Sequence, residues 1–267
     1  MDLELTSASN PRVKELVGLR QRRSRDDAGL TLVEGHDELV LALDAGVVPR
    51  TLYYSPALVR PDQLGIVRRV AGLGAEVVRL GRQVFAKVAY RQSPDGWLAV
   101  VPAVPSDLEH LVLGERPLVL VCEGIEKPGN LGAILRTADA AGVTAVIAAG
   151  PVTDWDNPNL VRASKGTVFS VPVASGRSAE VLGWLAERSL PVVATTPDTD
   201  TLVAEADLTG PVAIAVGSEH DGLSGPWLER AEIRVRIPMF GRVDSLNVAA
   251  SAAVVVYEAV RQRMRRT

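Results

Sequence analysis

The sequence has little cysteine, little histidine and few aromatic residues. Its 267 residues include one cysteine and three histidines, and aromatic residues make up 4% of the chain. A single cysteine excludes an intramolecular disulfide and a multi-cysteine zinc site, and His36, His110 and His220 lack metal-ligand spacing. Cys122 lies in the apolar run LVLVC, which predicts a buried packing role. We therefore expect no bound metal.

Long apolar segments and common nucleotide motifs are also missing. No uncharged apolar run reaches the roughly 18 residues that cross a bilayer, and the first ten residues lack signal-peptide features. We therefore expect a cytoplasmic protein without a membrane span. No G-x-x-x-x-G-K-S/T loop, G-x-S-x-G elbow or H-E-x-x-H motif is present. The one G-x-G, at Gly72 and Gly74, precedes a predicted strand instead of following one, which argues against dinucleotide binding.

Positive charge is clustered, although the formal net charge is -3. Residues 11–25 contain six cations and one anion, and four further arginines lie among residues 261–266. Such a cluster can bind phosphates on an acidic protein, because salt limits the reach of each charge to roughly 8–10 Å. The alternative is an ordinary solvated helix face or a solubilising tail. We predict RNA contacts from four of these cations: Arg20, Arg22, Arg23 and Arg25.

The apolar pattern divides the chain into two α/β halves. The first helix, capped by Asn10, is predicted over residues 10–24, and strand and helix patterns alternate after it. This alternation predicts a small α/β sandwich with a largely parallel sheet. Prolines and a change of pattern mark a linker at 104–116, so we assign the two domains to residues 1–103 and 117–267.

The strands of the second half are apolar at consecutive positions. The run PVAIAV at residues 211–216 is an example, and it indicates a strand that helices bury on both faces. We therefore predict a parallel, doubly wound sheet, whose ligands bind beyond the carboxyl ends of the strands. Three of these ends combine glycine or proline with polar side chains that an ordinary turn does not need: residues 123–136, 217–224 and 238–251.

These strand ends resemble the motifs of a known enzyme family. The segments NLGAILR (130–136), GSEHDGLS (217–224) and IPM (237–239), followed by SLNVAAS (245–251), resemble the three motifs of the SpoU/TrmH branch of the SPOUT RNA 2′-O-ribose methyltransferases. The segments NPRVKELVGLRQRR, LVEGHDELVLAL and SPDGWLAVV are similar to the N-terminal substrate-binding domain of members that modify ribosomal RNA. The resemblance thus covers nearly the whole chain.

The resemblance implies properties that periodicity does not reveal. It implies an α/β protein whose C-terminal SPOUT domain is a trefoil-knotted parallel sheet, preceded by a small L30e/L7Ae-like domain that binds the RNA substrate. It also implies a homodimer and S-adenosylmethionine as the methyl donor. By position, the cofactor would be held mainly by backbone groups and apolar side chains of six residues: Thr195, Thr196, Gly217, Ile237, Met239 and Leu246.

Five residues are the candidate catalytic set. Methyl transfer to a ribose hydroxyl requires aligned reactants and a route for the hydroxyl proton. Arg136 would stabilise the developing alkoxide by its charge, because a guanidinium is a poor base. Glu219 would hold Arg136 through a bidentate pair, with Glu123 or Glu126 as the alternative partner. Asn130 would orient the hydroxyl or Glu219, with helix capping as the alternative. Ser245 and Asn247 would open the last helix and hold a polar ligand, although Ser245 is also an ordinary N-cap.

Other functions fit the sequence less well. A transfer-RNA methyltransferase would share these motifs, but the N-terminal domain favours ribosomal RNA. An RNA-binding or ribosome-assembly protein could keep the fold without catalysis, but all five candidate catalytic residues are present. A Rossmann-type enzyme acting on small molecules would require a glycine fingerprint that the sequence lacks, and it would leave the basic clusters unexplained.

Overall fold

The computed structural model describes residues 3–150, 154–243 and 245–265. Arg266, the last arginine of the C-terminal basic cluster, lies outside these ranges. Within them, no helix is long and apolar enough to cross a membrane. The same ranges contain no group of three or more histidine, cysteine or acidic side chains that could hold a metal ion.

The chain forms two compact units. The first consists of Met1–Val104 and Asp154–Ser170, and the second consists of Pro105–Thr153 and Val171–Thr267. The segment Asp154–Ser170 was expected in the second domain, but it packs with the first unit. Its hydrogen bonds explain this: the Thr31 hydroxyl donates to the carbonyl oxygen of Asp156 at 2.6 Å.

The first unit contains a mixed five-stranded sheet. Its elements in chain order are β1 (Leu3–Leu5), α1 (Pro11–Gly18), α2 (Arg22–Ala28), β2 (Leu30–Glu34), α3 (His36–Asp44), β3 (Thr51–Tyr54), α4 (Gly65–Gly72), β4 (Glu76–Leu80), α5 (Arg82–Val88), β5 (Trp97–Pro102) and, from the later segment, α7 (Pro158–Ala163). The strand order is β1-β4-β3-β5-β2. Since β5 runs antiparallel to both β3 and β2, two of the four pairings are antiparallel, and the prediction of a largely parallel sheet is wrong. Apolar periodicity identifies a strand but does not encode its direction.

The predicted N-terminal helix is two helices. Asn10 caps α1 as expected, because its side-chain oxygen accepts the backbone N–H of Arg12 at 2.9 Å. The helix ends at Gly18 instead of continuing to residue 24, and α2 begins at Arg22. Arg12 therefore lies on α1, Arg20 lies between the helices, and Arg22, Arg23 and Arg25 lie on α2.

The second unit contains a parallel six-stranded sheet, as predicted. Its elements in chain order are β6 (Leu118–Glu123), α6 (Pro128–Ala141), β7 (Ala145–Ala149), β8 (Val173–Gly176), α8 (Ser178–Glu187), β9 (Val192–Thr195), β10 (Val212–Val216), α9 (Gly225–Arg230), β11 (Ile233–Val235) and α10 (Val248–Met264). The strand order is β11-β9-β10-β6-β7-β8, and every pairing is parallel.

Helices bury the central strands of this sheet on both faces. All residues of β7 and β10 are buried, and α10 packs on α6 and β10. The chain leaves β6 toward β7 on one side, whereas β10 lies on the other side of β6. Ligands bind at such a reversal of strand order, beyond the carboxyl ends of the strands. The ends of β6 and β10 are therefore the natural place for a site.

Candidate active site

Four polar side chains form a hydrogen-bonded group at the adjoining ends of β6 and β10. We call them the carboxylate cluster: Lys127, Asn130, Glu219 and Asn247. The Lys127 ammonium and the Asn130 amide donate to the Glu219 carboxylate at 3.0 and 3.1 Å. The Asn247 amide donates to the same carboxylate and to the side-chain oxygen of Asn130, the latter at 3.2 Å. The structure thus brings together three of the five candidate catalytic residues and adds Lys127.

Local backbone geometry places Glu219 in this cluster. The residue lies in a tight turn after β10, in which the Gly222 N–H donates to the Ser218 carbonyl at 3.1 Å and the Asp221 N–H donates to the Ser218 hydroxyl at 3.0 Å. Gly217 precedes the turn, and a Cβ atom there would lie 2.0 Å from the carbonyl carbon of Gly222. Glycine is therefore required at position 217 for the turn to close.

Helix starts place the two amides. Asn247 caps α10, because its side-chain oxygen accepts the Ala249 N–H at 3.0 Å while its amide nitrogen donates into the cluster. The capping role expected as an alternative for Ser245 is wrong, because Ser245 lies two residues before the cap, where it is exposed. Asn130 is not a cap either: α6 begins at Pro128, so Asn130 lies within its first turn.

The charge of the cluster is set by its lysine. Hydrogen bonding from Lys127 lowers the pKa of Glu219 below its usual value, and the bond from Asn130 acts in the same direction. The carboxylate is therefore ionised at neutral pH. Lys127 was not among the predicted residues, although its position three residues before Asn130, in the same strand-end segment 123–136, was an available signal.

Arg136 is not part of the carboxylate cluster. It is exposed on α6 and makes no hydrogen bond or ion pair with the part of the chain that the structure describes. The expected bidentate pair between Arg136 and Glu219 is therefore wrong, and Lys127 takes that place. Six residues along a regular helix separate two side chains by about 120° around its axis, so Asn130 and Arg136 point in different directions. Arg136 remains available to a ligand.

Glu123 supports the site from the end of β6. Its carboxylate accepts hydrogen bonds from the Ser178 hydroxyl at 2.9 Å and from the Ser224 hydroxyl and N–H, both at 2.7 Å. These bonds tie the strand end to the starts of α8 and α9. Glu123 is thus a positioning group for the loops of the site.

The six predicted cofactor residues follow three neighbouring strands. Thr195 ends β9, Gly217 follows β10 and Ile237 follows β11, so these three residues lie at the carboxyl edge of the parallel sheet. Thr195 and Thr196 are already used within the sheet: the Thr195 hydroxyl donates to the Ala215 carbonyl at 2.9 Å, and the Thr196 N–H donates to the Val235 carbonyl at 2.9 Å.

Unpaired backbone donors at the other four positions fit an adenine ring. Within the described ranges, the backbone N–H groups of Gly217, Ile237, Met239 and Leu246 make no hydrogen bond. The apolar side chains of the last three are partly or largely exposed. Donors and apolar surface together are what a base needs for edge hydrogen bonds and face contacts, so the residues present fit S-adenosylmethionine.

Two of the four arginines predicted to contact RNA are engaged in the first unit. Arg25 is 2% exposed, and it pairs with Asp154 at 2.5 Å. The expectation that Arg25 contacts RNA is therefore wrong. The Arg20 guanidinium donates to the carbonyl oxygens of Lys87 and Ala89 at 2.8 and 2.6 Å and lies over the Tyr90 ring.

The other two arginines of this group face solvent. The side chains of Arg22 and Arg23 are 54% and 92% exposed. The Nε atom of each lies 3.6 or 3.8 Å, respectively, from the carboxylate of the aspartate four residues later. Exposed pairs at such distances contribute little, so both guanidinium groups are accessible to phosphate. The basic surface is smaller than the sequence suggested.

Comparison with known proteins confirms the resemblance. Residues 117–257, more than half of the chain, match the SpoU rRNA Methylase family, and residues 10–99 match an MRM3-like substrate binding domain. A Streptomyces viridochromogenes protein named 23S rRNA (uridine(2479)-2′-O)-methyltransferase is 33% identical over 93% of this chain and 88% of its own length.

Solved structures agree over almost the full length. A crystal structure described as an RNA 2′-O ribose methyltransferase is 42% identical, with a TM-score of 0.85, and the match covers 98% of this chain and 100% of the other. A rRNA methyltransferase from Sinorhizobium meliloti, described as AdoMet-bound, is 31% identical with a TM-score of 0.87, covering 97% of each chain. The two-part α/β architecture is therefore shared along the whole chain.

Proposed function

The chain belongs to the SpoU rRNA methylase family, and from this premise we propose that it transfers a methyl group from S-adenosylmethionine to a ribose 2′-hydroxyl of ribosomal RNA. The observation that carries the proposal is the carboxylate cluster at the adjoining ends of β6 and β10, whose Asn130 lies on α6, the helix that also carries Arg136. Ribosomal RNA is favoured over transfer RNA, because the relative from S. viridochromogenes is named for a 23S rRNA and a substrate-binding domain model matches the first unit.

The cofactor chemistry is a single displacement. Bound S-adenosylmethionine supplies an electrophilic methyl carbon, to which the hydroxyl oxygen bonds as the carbon–sulfur bond breaks and its electron pair stays on sulfur. Backbone N–H groups along the carboxyl edge of β9, β10 and β11 would hold the adenine ring in place. The apolar side chains of Ile237, Met239 and Leu246 would cover its faces and exclude water.

The side chains on α6 and around it divide the remaining tasks. Arg136 would stabilise the negative charge that develops on the ribose oxygen, while Asn130 and Asn247 orient the ribose. Glu219 holds both amides in position and is a poor proton acceptor, since its pKa lies below the usual value. The hydroxyl proton therefore passes to water or to an RNA phosphate.

Replacement of Arg136 tests the proposal. Arg136→Ala should lower kcat by about 100-fold or more, because it removes a charge that acts mainly in the transition state. Transfer of tritiated methyl groups to ribosomal and transfer RNA, both isolated from cells that lack the protein, measures this loss and the choice of substrate. Calorimetry with S-adenosylmethionine should give an unchanged Kd.

The exposed Arg230 on α9 offers a matched control, and Arg230→Ala should retain full activity. Near-normal turnover of Arg136→Ala would refute the role of that residue. A wild-type chain that binds RNA but neither binds S-adenosylmethionine nor transfers methyl groups would be a non-catalytic assembly protein. Selective methylation of transfer RNA would replace the proposed substrate.

We further infer that the protein acts as a homodimer in the cytoplasm, without a metal ion, and that its second unit has the trefoil-knotted path of related enzymes. The exposure of Val254 and Tyr257 on α10, at 43% and 48%, supports a dimer, because large apolar side chains exposed together on one helix favour a partner surface. A dimer would have twice the chain mass of 28.4 kDa.

A further inference from the structure

The first unit contains a cavity of about 470 Å³ at the edge of its sheet where β2 and β3 end and β5 begins. We call it the His36 cavity, since His36 lines it together with Leu58 and Lys165. Its volume lies within the range of roughly 300–1,000 Å³ that is usual for small-ligand sites. None of the residues assigned to methyl transfer or to the exposed basic surface lines it.

One ion pair and several hydrogen bonds to the backbone make the base of the cavity rigid. The Arg91 guanidinium donates to the Glu38 carboxylate at 2.5 Å and to the Glu34 carbonyl at 3.2 Å. The Glu34 carboxylate accepts the backbone N–H groups of Tyr90 and Arg91 at 2.6 and 3.2 Å. Gly35 has φ +117°, and a Cβ atom there would lie 2.1 Å from the Glu38 carboxylate. The base is thus built before any ligand arrives, and its charges are already paired.

His36 supplies the aromatic ring in the lining of the cavity. The Asp95 carboxylate accepts the backbone N–H groups of His36 at 2.8 Å and Trp97 at 3.2 Å, which fixes the start of α3. The Trp97 ring stacks on Tyr54 with centroids 5.6 Å apart, and its N–H donates to Gln63 at 3.0 Å. The His36 ring lies 6.1 Å from the Trp97 ring. A half-buried ring with this support offers a flat face to a ligand.

The charges around the cavity balance. Its lining contains three cations and three carboxylates: Arg60, Arg91 and Lys165, and Asp37, Glu38 and Asp95. Arg91, Glu38 and Asp95 are bonded within the wall, and one oxygen of Asp37 lies 3.1 Å from the His36 ring nitrogen. The other oxygen of Asp37 is an acceptor left for a ligand, and Lys165 and the exposed Arg60 are the donors. A lining without net charge suits a neutral ligand with both donors and acceptors better than it suits a phosphate.

Lys165 reaches this position through a strained turn. Its φ is +53°, a backbone conformation that residues other than glycine rarely adopt. Among the described non-glycine residues, Ser189 is the only other one with a positive φ. The next residue, Gly166, packs so closely that a Cβ atom would lie 2.9 Å from the Glu38 carbonyl. The Lys165 ammonium has no partner within the described ranges. Strain that persists beside a cavity indicates a functional constraint.

We propose that the His36 cavity binds one unpaired base of the RNA substrate, with Asp37 and Lys165 on the base edge and the His36 ring against its face. The proposal rests on the function proposed above and assigns recognition to a nucleotide other than the methylated one, because no residue assigned to methyl transfer lines the cavity. Proteins that read RNA sequence do so mainly at unpaired bases, through edge hydrogen bonds and stacking on flat side chains. All of these groups are present in the cavity.

The histidine ring signals provide a direct test. The full chain has three histidines, so ¹H–¹³C spectra of their rings contain few signals, and His36→Gln assigns the one of interest. The four nucleoside 5′-monophosphates are titrated with S-adenosylmethionine at saturation, so that the cofactor site is filled. We expect at least one nucleotide to shift the His36 signals, while His110 and His220 stay unchanged and ribose 5-phosphate has no effect. No shift with any nucleotide, or an equal shift with ribose 5-phosphate, would overturn the proposal.

A double variant tests the same cavity in the enzyme. Asp37→Ala/Lys165→Ala keeps the net charge and should raise KM for ribosomal RNA about tenfold with little change in kcat, as expected for lost hydrogen bonds to charged groups. Asp44→Ala/Lys87→Ala removes the same two charges from exposed positions of the same unit and should leave KM unchanged. An unchanged KM in an active Asp37→Ala/Lys165→Ala variant would refute base binding in the His36 cavity and would leave the proposed function standing. A wild-type chain that transfers no methyl groups would refute the proposed function. The histidine ring spectra would still show whether nucleotides bind in the His36 cavity.

Discussion

Lys127 is bonded to Glu219 across 92 residues of sequence, in a pair whose lysine side chain is 74% exposed. Exposed ion pairs add little to folding stability, so the effect of this pair is expected on the chemistry of the site. An unpaired carboxylate would repel the phosphates of an approaching RNA. With the ammonium beside it, the carboxylate can orient Asn130 and Asn247 without presenting a net negative charge.

Lys127→Met should shift the pH dependence of methyl transfer. Hydrogen bonding from Lys127 is the largest cause of the low pKa of Glu219, so its loss should raise that pKa toward the ordinary value. In the wild type the carboxylate stays ionised as the pH falls, whereas in the variant it takes up a proton at a higher pH. The acidic limb of the kcat/KM profile should therefore move to higher pH, and KM for RNA should rise roughly three- to tenfold.

Lys127→Arg separates the charge of the residue from its shape. An arginine keeps a cation near Glu219, so the pH profile should return close to that of the wild type. A profile of Lys127→Met that coincides with the wild type from about pH 3.5 to 8, a window that includes the ordinary glutamate pKa of about 4.3, would show that Lys127 does not control the ionisation of the site.

The sequence revealed which strand ends carry the site but not how its side chains pair. Asn130, Glu219 and Asn247 were expected to form one site, and they are mutually hydrogen-bonded, because the carboxyl ends of parallel strands meet at one edge. The predicted partner of Glu219 was wrong. The segment 123–136 contains two cations, and the direction of each side chain depends on where α6 begins. A helix that starts at Pro128 turns Arg136 away and leaves Lys127 at the cap position.

At the scale of elements, α2 and the start of the later segment are joined through buried charges. Arg25 pairs with Asp154, and the Asp156 carboxylate accepts the Val104 N–H at 2.8 Å. Arg25 and Asp154 are 129 residues apart, and Arg25 stands in a row of cations that has the pattern of a solvated surface. Only tertiary packing reveals that this arginine points inward, which is why the sequence did not predict it.

Two neighbouring carboxylates in this segment should respond oppositely to the same substitution. Burial raises the pKa of Asp156 to about 6, so the folded state binds a proton that the unfolded state, with a pKa of about 3.9, does not hold. The contribution of Asp156 to the free energy of unfolding therefore falls as the pH rises from about 4 to 6. Asp156→Asn keeps an acceptor for Val104 and should raise the free energy of unfolding at pH 8.

Asp154→Asn is the matched comparison. It leaves the Arg25 charge buried without a counter-ion, and loss of one member of a buried pair costs about 3–5 kcal/mol. Urea unfolding at pH 5 and pH 8 measures both variants. If Asp156→Asn were less stable than the wild type at pH 8, the ionised carboxylate would be contributing a favourable interaction and the argument from burial would be wrong.

At the scale of the whole molecule, the sequence predicted the second unit better than the first. Strands buried on both faces are continuous apolar runs, and the runs of β6, β7, β9 and β10, in alternation with helices, predicted the parallel sheet. No such run marked β8. The first sheet includes β1, a three-residue strand that no pattern marked, and the reversed β5. The residues of Asp154–Ser170 were assigned by chain order, but contacts distant in sequence place them in the first unit.

The salt dependence of RNA binding tests which cations face the substrate. Arg22 and Arg23 are exposed, whereas Arg25 is buried, so Arg22→Gln/Arg23→Gln should weaken binding and reduce the slope of log Kd against log salt by about 1–2. Arg68→Gln/Arg69→Gln removes two exposed arginines from α4, lowers the net charge equally, and should leave the slope unchanged. Filter-binding titrations with ribosomal RNA from 50 to about 300 mM salt cover the range in which counterion release dominates. Equal slopes for the two double variants would mean that net charge, and not a defined surface on α2, attracts the RNA.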